Sequence, residues 1–136
     1  MINGLFYAHS GLRYLILLVG VALAVNSALA LRTRRPSNSA DRILTAAFTG
    51  LLDLQLLLGI GLVISGILYP ALIGHIAMMA LAVVVAHATS VLAKKATEPR
   101  RAHTMRLAGA LGALVLILGG ITAIGRAIFG TGAPSM

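Results

Sequence analysis

At 136 residues, 59% hydrophobic and 10% charged, the chain is far more apolar than a soluble domain, in which about a quarter of residues carry charge. It reads as an integral membrane protein, and the absence of cysteine excludes disulfides, thiolate metal sites and c-type haem attachment. The formal charge of +8 does not mark a nucleic-acid surface, because the basic residues gather in the gaps between apolar runs instead of covering a soluble face.

Four apolar runs follow in order, Leu5 to Leu31, Ile43 to Ser65, Pro70 to Ala93 and Leu107 to Ile128. Each is near the ~20 residues that a transmembrane helix needs. Little chain lies outside them, so residues 1–136 are expected to form one membrane domain, all-α, with the short gaps forcing an antiparallel four-helix bundle. Arg32, Arg34, Arg35 and Arg42 surround the first gap, and Lys94, Lys95, Arg100, Arg101 and Arg106 surround the third. The opposite side holds little besides Arg126. The positive-inside rule then places both basic loops in the cytoplasm and both termini outside.

Arg13, the apolar run behind it and Ala28-Leu29-Ala30 outline a signal peptide with its cleavage site. Cleavage there would send Arg32, Arg34 and Arg35 to the outer side, against the charge rule, so the run is read as a retained helix. Pro36-Ser37-Asn38-Ser39 is a turn segment, with Ser39 or Asp41 placed to cap the second helix. In the fourth run, Ala108/Gly112 and Gly109/Ala113 have the small-xxx-small spacing that lets helices approach closely. Gly130 to Met136 read as a short disordered end.

Topology converts sequence position into depth. His9 and His75 enter from the same side on helices one and three, each roughly 6 to 8 Å below the boundary at 1.5 Å per residue. Ionisable groups inside a membrane are costly and are functional candidates by default. Two imidazoles at one height on different helices are the arrangement that holds a haem iron from both axial sides. The alternative is two neutral imidazoles hydrogen-bonded within a packed bundle. Each ligand's second ring nitrogen needs a partner, for which Ser10 or a backbone carbonyl can serve.

Arg13 shares a helical face with His9, extended by Gly20 and Ser27, and that face is expected to point into the bundle. Asp53 is the only acidic residue deep inside a run, about 15 Å in, and Arg13 lies about 12 Å from the other side. They are expected to pair, because either alone would be an uncompensated charge. The pair either fixes helix register or has Arg13 hold a haem propionate or quinone oxygen, with Asp53 and Gln55 as a polar network near a proton path. His87 lies about 18 Å deeper than His75 and about 120° round the helix. With His103 it makes a possible second site, against which stands a satisfied core or interfacial histidine. Met78 and Met79 follow His75 closely but are read as packing.

No phosphate-binding loop, zinc-protease motif or carboxylate dyad is present. The basic loops suit anionic lipid headgroups. His9-Ser10-Gly11-Leu12-Arg13-Tyr14, Asp53-Leu54-Gln55-Leu56-Leu57-Leu58-Gly59 and His75-Ile76-Ala77-Met78-Met79 resemble the HSxLRY, D/H-x-Q-L-L-x-G and H-x-x-M-M segments of small four-helix bacterial membrane proteins loosely labelled cytochrome-b-like. The resemblance covers most of the chain and departs where Asp53 stands at a position often occupied by histidine. It implies a bacterial cytoplasmic membrane location and a b-type haem, with His9 and His75 carried over as ligands.

The expected function is therefore electron transfer between quinone and a redox partner through one haem b, as a carrier or subunit more than a stand-alone enzyme. The opposing expectation is a non-catalytic accessory subunit of a larger respiratory or photosynthetic membrane complex, or a homo-oligomer. Only 4% of residues are aromatic and none is Trp, which leaves few interfacial anchors and suits a chain held by neighbours. A transport path through Asp53, His87 and Gln55 would call for broken helices, which these runs do not suggest.

Overall fold

A computed structural model describes residues 1–126. The described chain forms four helices, α1 (Ile2–Thr33), α2 (Ser39–Ile64), α3 (Pro70–Lys95) and α4 (Pro99–Ala123). Each is long and apolar enough to cross a membrane, which marks a multi-pass membrane protein. The expected ends of helix four at Ile128 and of the tail at Gly130 to Met136 lie outside the described residues.

Local chemistry sets the boundaries. α1 stops at Arg34, which turns left-handed at φ 54° and returns its N–H to Ala30 O, and Pro36 bars any continuation. α2 starts on a capping box: Asn38 Oδ1 accepts from Asp41 N at 3.1 Å, and Asp41 Oδ2 accepts from Asn38 N at 2.8 Å. The cap is thus Asn38, with Asp41 as its reciprocal partner, in place of the Ser39 or Asp41 cap read from the turn segment. Pro70 and Pro99 open α3 and α4, where a missing N–H costs nothing. α4 consequently begins eight residues before the expected Leu107, carrying His103 and Arg106 on the helix instead of in a loop. The apolar run marks only the part that suits hydrocarbon, and the helix continues beyond it.

The helices pack as α1–α2, α1–α4 and α3–α4 neighbours, with α2 and α3 in looser contact and α1 and α3 across the diagonal. α3 and α4 meet most closely. Ala82, Ala86, Ser90 and Ala93 line α3, and Gly109, Ala110 and Ala113 line α4, all buried. A Cβ on Gly109 would collide with the Thr89 side chain and one on Gly112 would lie 3.2 Å from Val85, which is the close approach that the small-residue spacing predicts. The larger core side chains Ile16, Leu23, Phe48, Leu52, Ile117 and Ile121 fill the middle. Gly20 is also required by contact, since a Cβ there would come within 2.8 Å of both Phe48 and Leu114.

The loop end of the bundle is locked by polar contacts. Arg35 donates to both oxygens of the fully buried Asp41 at 2.8 Å, Asn26 Nδ2 donates to Asp41 Oδ1 at 2.6 Å, and Arg35 also donates to Asn26 Oδ1. Hydrogen bonding to Asp41 raises the Arg35 pKa above its already high usual value. At the other end Arg126 lies 4.9 Å over the Phe6 ring, so the start of α1 and the end of α4 share one end of the molecule.

Candidate functional site

Near that shared end, His9 on α1 and His75 on α3 meet across the bundle diagonal, their ring centroids 6.4 Å apart and their planes inclined by 71°. The two residues expected to match in height therefore also face one another. His75 Nδ1 lies 2.9 Å from Gly120 O. A carbonyl only accepts, so Nδ1 carries the proton and a neutral His75 has its lone pair on Nε2. This is a backbone-carbonyl partner of the kind the sequence calls for. Gly120 is close-packed, because a Cβ on it would meet Met79 Cε at 2.6 Å and Met78 Cβ at 3.2 Å. The two methionines thus pack on the Gly119-Gly120 pair, consistent with their reading as packing groups.

His9 is held from α2. Gln55 Nε2 donates to His9 O at 2.8 Å, and a Cβ on Gly59 would lie 3.2 Å from His9 Cε1. His9 Nδ1 and Gln55 Oε1 are buried and have no hydrogen-bond partner among the described residues. A buried ring nitrogen in that condition has a full interaction left to make. Two imidazoles from different helices whose centroids are 6.4 Å apart, one with a buried unpartnered nitrogen, are the residues that would hold a metal between them. The donor set, the fixed tautomer of His75 and the orphaned His9 nitrogen fit a bis-imidazole group such as haem b.

Arg13 sits one turn further along α1, its Nη2 donating to the Tyr14 hydroxyl at 2.8 Å. The expected Arg13–Asp53 pair does not form. Asp53 Oδ1 instead meets His87 Nε2 at 2.7 Å, linking α2 to α3. The reason is angular: Gln55 faces α1, and Asp53, two residues earlier, is about 200° away round the helix and faces α3. Height alone did not decide the pairing.

His87 and His103 do not come together either. His103 is buried on α4 with Nε2 3.1 Å from Arg35 O, which ties α4 to the α1–α2 connection. Each histidine is engaged by a different element, so the second histidine site is corrected to two separate structural contacts. The group that sequence reasoning missed is Asn26–Arg35–Asp41. Asp41 looked like a turn residue, and only the unusual depth of Asn26 in an apolar run hinted at a buried polar partner.

Compared with protein-family models, curated proteins and solved structures, the chain matches none.

Proposed function

We propose that this protein is a b-type cytochrome-like membrane protein that holds one haem between His9 and His75 and carries electrons between quinone and a membrane-bound redox partner. The observation that carries the reading is the His9–His75 pair itself, two imidazoles from diagonal helices at 6.4 Å. A bound haem would supply one-electron chemistry. The chain's own share is ligation and tuning. Gly120 O orients His75, Gln55 fixes the backbone at His9, and Arg13 offers a positive charge to a propionate or quinone oxygen. The nine Lys and Arg residues other than Arg13 and Arg126 gather at the loop end, so that end faces the cytoplasm of a bacterial inner membrane and both termini face outward.

The test is an optical spectrum of detergent-purified protein, expressed with ample haem, oxidised and then reduced with dithionite. Sharp reduced α and β bands are expected, with the Soret band lost in His9→Ala and in His75→Ala and kept in His87→Ala. A featureless spectrum, or equal haem content in all three variants, would overturn the reading.

One observation favours a second reading as an accessory subunit. The Asp53 and His87 side chains are 49% and 46% exposed on the outside of the bundle, where lipid alone solvates them poorly. A neighbouring subunit or a second copy would cover them. On that reading the protein purified in mild detergent runs at the mass of a larger assembly, and Asp53→Leu releases it.

A further inference from the structure

At the loop end, α2, α3 and α4 enclose a cleft of about 160 Å³. A cavity of this size takes a benzene-sized group, hence also a phosphate with its ester oxygens. Three cations from three helices line it: Arg42, Lys94 and Arg106. Arg106 is 6% exposed, its Nη1 donates to Ser37 Oγ at 3.1 Å, and its Nε is buried with no partner among the described residues. Two carboxylates lie near them, Asp53 in the lining and Asp41 close enough to act on Arg106, and among the described residues both already have an ion-pair partner. Asp41 is taken by Arg35 and Asp53 by His87, and among the described residues Glu98 forms no ion pair. Ser90, also in the lining, makes no hydrogen bond among the described residues and has its hydroxyl to donate.

We propose that this cleft binds a phosphate group, and that its occupant is the headgroup of an anionic phospholipid. The claim does not depend on haem binding. Three desolvated or headgroup-level cations with a spare hydroxyl donor suit a phosphate diester. The shape of the cleft selects a lipid over a free anion. It runs along one face of α2 from Arg42 to Asp53, about 16 Å at 1.5 Å per residue. Asp53, held by His87, lines the deep end, so the anion belongs at the mouth, beside Arg42, Lys94 and Arg106. Beyond Asp53 the same face continues through Leu57 and Ile60, both exposed, beside the α2–α3 seam, which is looser than the α1–α2, α1–α4 and α3–α4 contacts. An acyl chain fits that continuation.

The experiment is native mass spectrometry of the full chain in neutral detergent, titrated separately with phosphatidylglycerol, phosphatidylcholine and inorganic phosphate. One phosphatidylglycerol should bind in preference to phosphatidylcholine, and inorganic phosphate should not displace it. Arg42→Gln/Lys94→Gln should weaken binding roughly 25-fold, about fivefold for each cation removed. Arg100→Gln/Arg101→Gln, which takes the same charge from the same end outside the cleft, should leave it nearly unchanged. Both pairs alter exposed side chains, and circular dichroism checks that each variant folds. Equal loss in the two double variants would mean diffuse surface charge and overturn the site. Equal binding of the two lipids would do the same, and displacement by inorganic phosphate would assign the cleft to a soluble anion instead.

Discussion

Asp53 and His87 are joined at 2.7 Å on a half-exposed stretch of the α2–α3 seam, deep within two apolar helices. Water would screen such a pair to near nothing, but hydrocarbon would not, and interhelical polar contacts in membranes average about 0.6 kcal/mol and reach about 1.7. A double-mutant cycle with Asp53→Ala and His87→Ala, read by unfolding in mixed micelles, should therefore return a coupling energy in that range. Strictly additive losses would mean the two side chains do not meet in the membrane. At this scale the sequence told which residues were polar and how deep they lay, but facing was only partly legible. Gln55 and Asp53 are two residues apart and turn to opposite neighbours, and a depth argument that ignores the 100° step per residue pairs Asp53 with the wrong helix. His9 and His75 were legible because each had the same depth and the diagonal brought them face to face.

Among the helices, glycine has two distinct uses, and they predict opposite outcomes. Gly109 lies against Thr89, whose hydroxyl donates to Val85 O at 2.7 Å and is not at liberty to swing away without losing that bond. Gly109→Ala should thus destabilise the α3–α4 pair by about 1 to 3 kcal/mol, the usual cost of overpacking, and Thr89→Ala should restore much of it. Gly74 on α3 has open space where its Cβ would be, so Gly74→Ala should raise stability by roughly 0.5 to 1 kcal/mol through helix propensity. Thermal unfolding of Gly109→Ala, Gly109→Ala/Thr89→Ala and Gly74→Ala decides this; a destabilising Gly74→Ala or a lack of rescue at Thr89 would contradict the packing described. The four helices themselves could be read from hydropathy, as could the small-residue contact. The start of α4 could not be read that way, because Arg100, Arg101, His103 and Arg106 look like loop when only apolar length is counted. Glu98-Pro99, with proline at the first helical position, was the available signal.

For the molecule as a whole, the two ends are unlike. One carries the Asn26–Arg35–Asp41 lock, the His103 contact to Arg35 O and nine of the eleven Lys and Arg residues, all but Arg13 and Arg126. The other carries the start of α1, Arg126 after α4 and the His9–His75 pair. Such an asymmetry orients a bundle during insertion, since short loops rich in Lys and Arg stay in the cytoplasm. The absence of cysteine makes the orientation directly measurable with single reporters. Thr97→Cys lies in the exposed α3–α4 connection and Leu68→Cys in the exposed α2–α3 connection at the opposite end. In intact cells a membrane-impermeant maleimide should label Leu68→Cys and spare Thr97→Cys until the membrane is opened. The reverse pattern would put the His9–His75 pair on the cytoplasmic side, so any redox partner would have to be sought there, and would turn the cationic cleft toward the outer leaflet. The labelling thus decides on which side of the membrane the cationic cleft and the His9–His75 pair each lie.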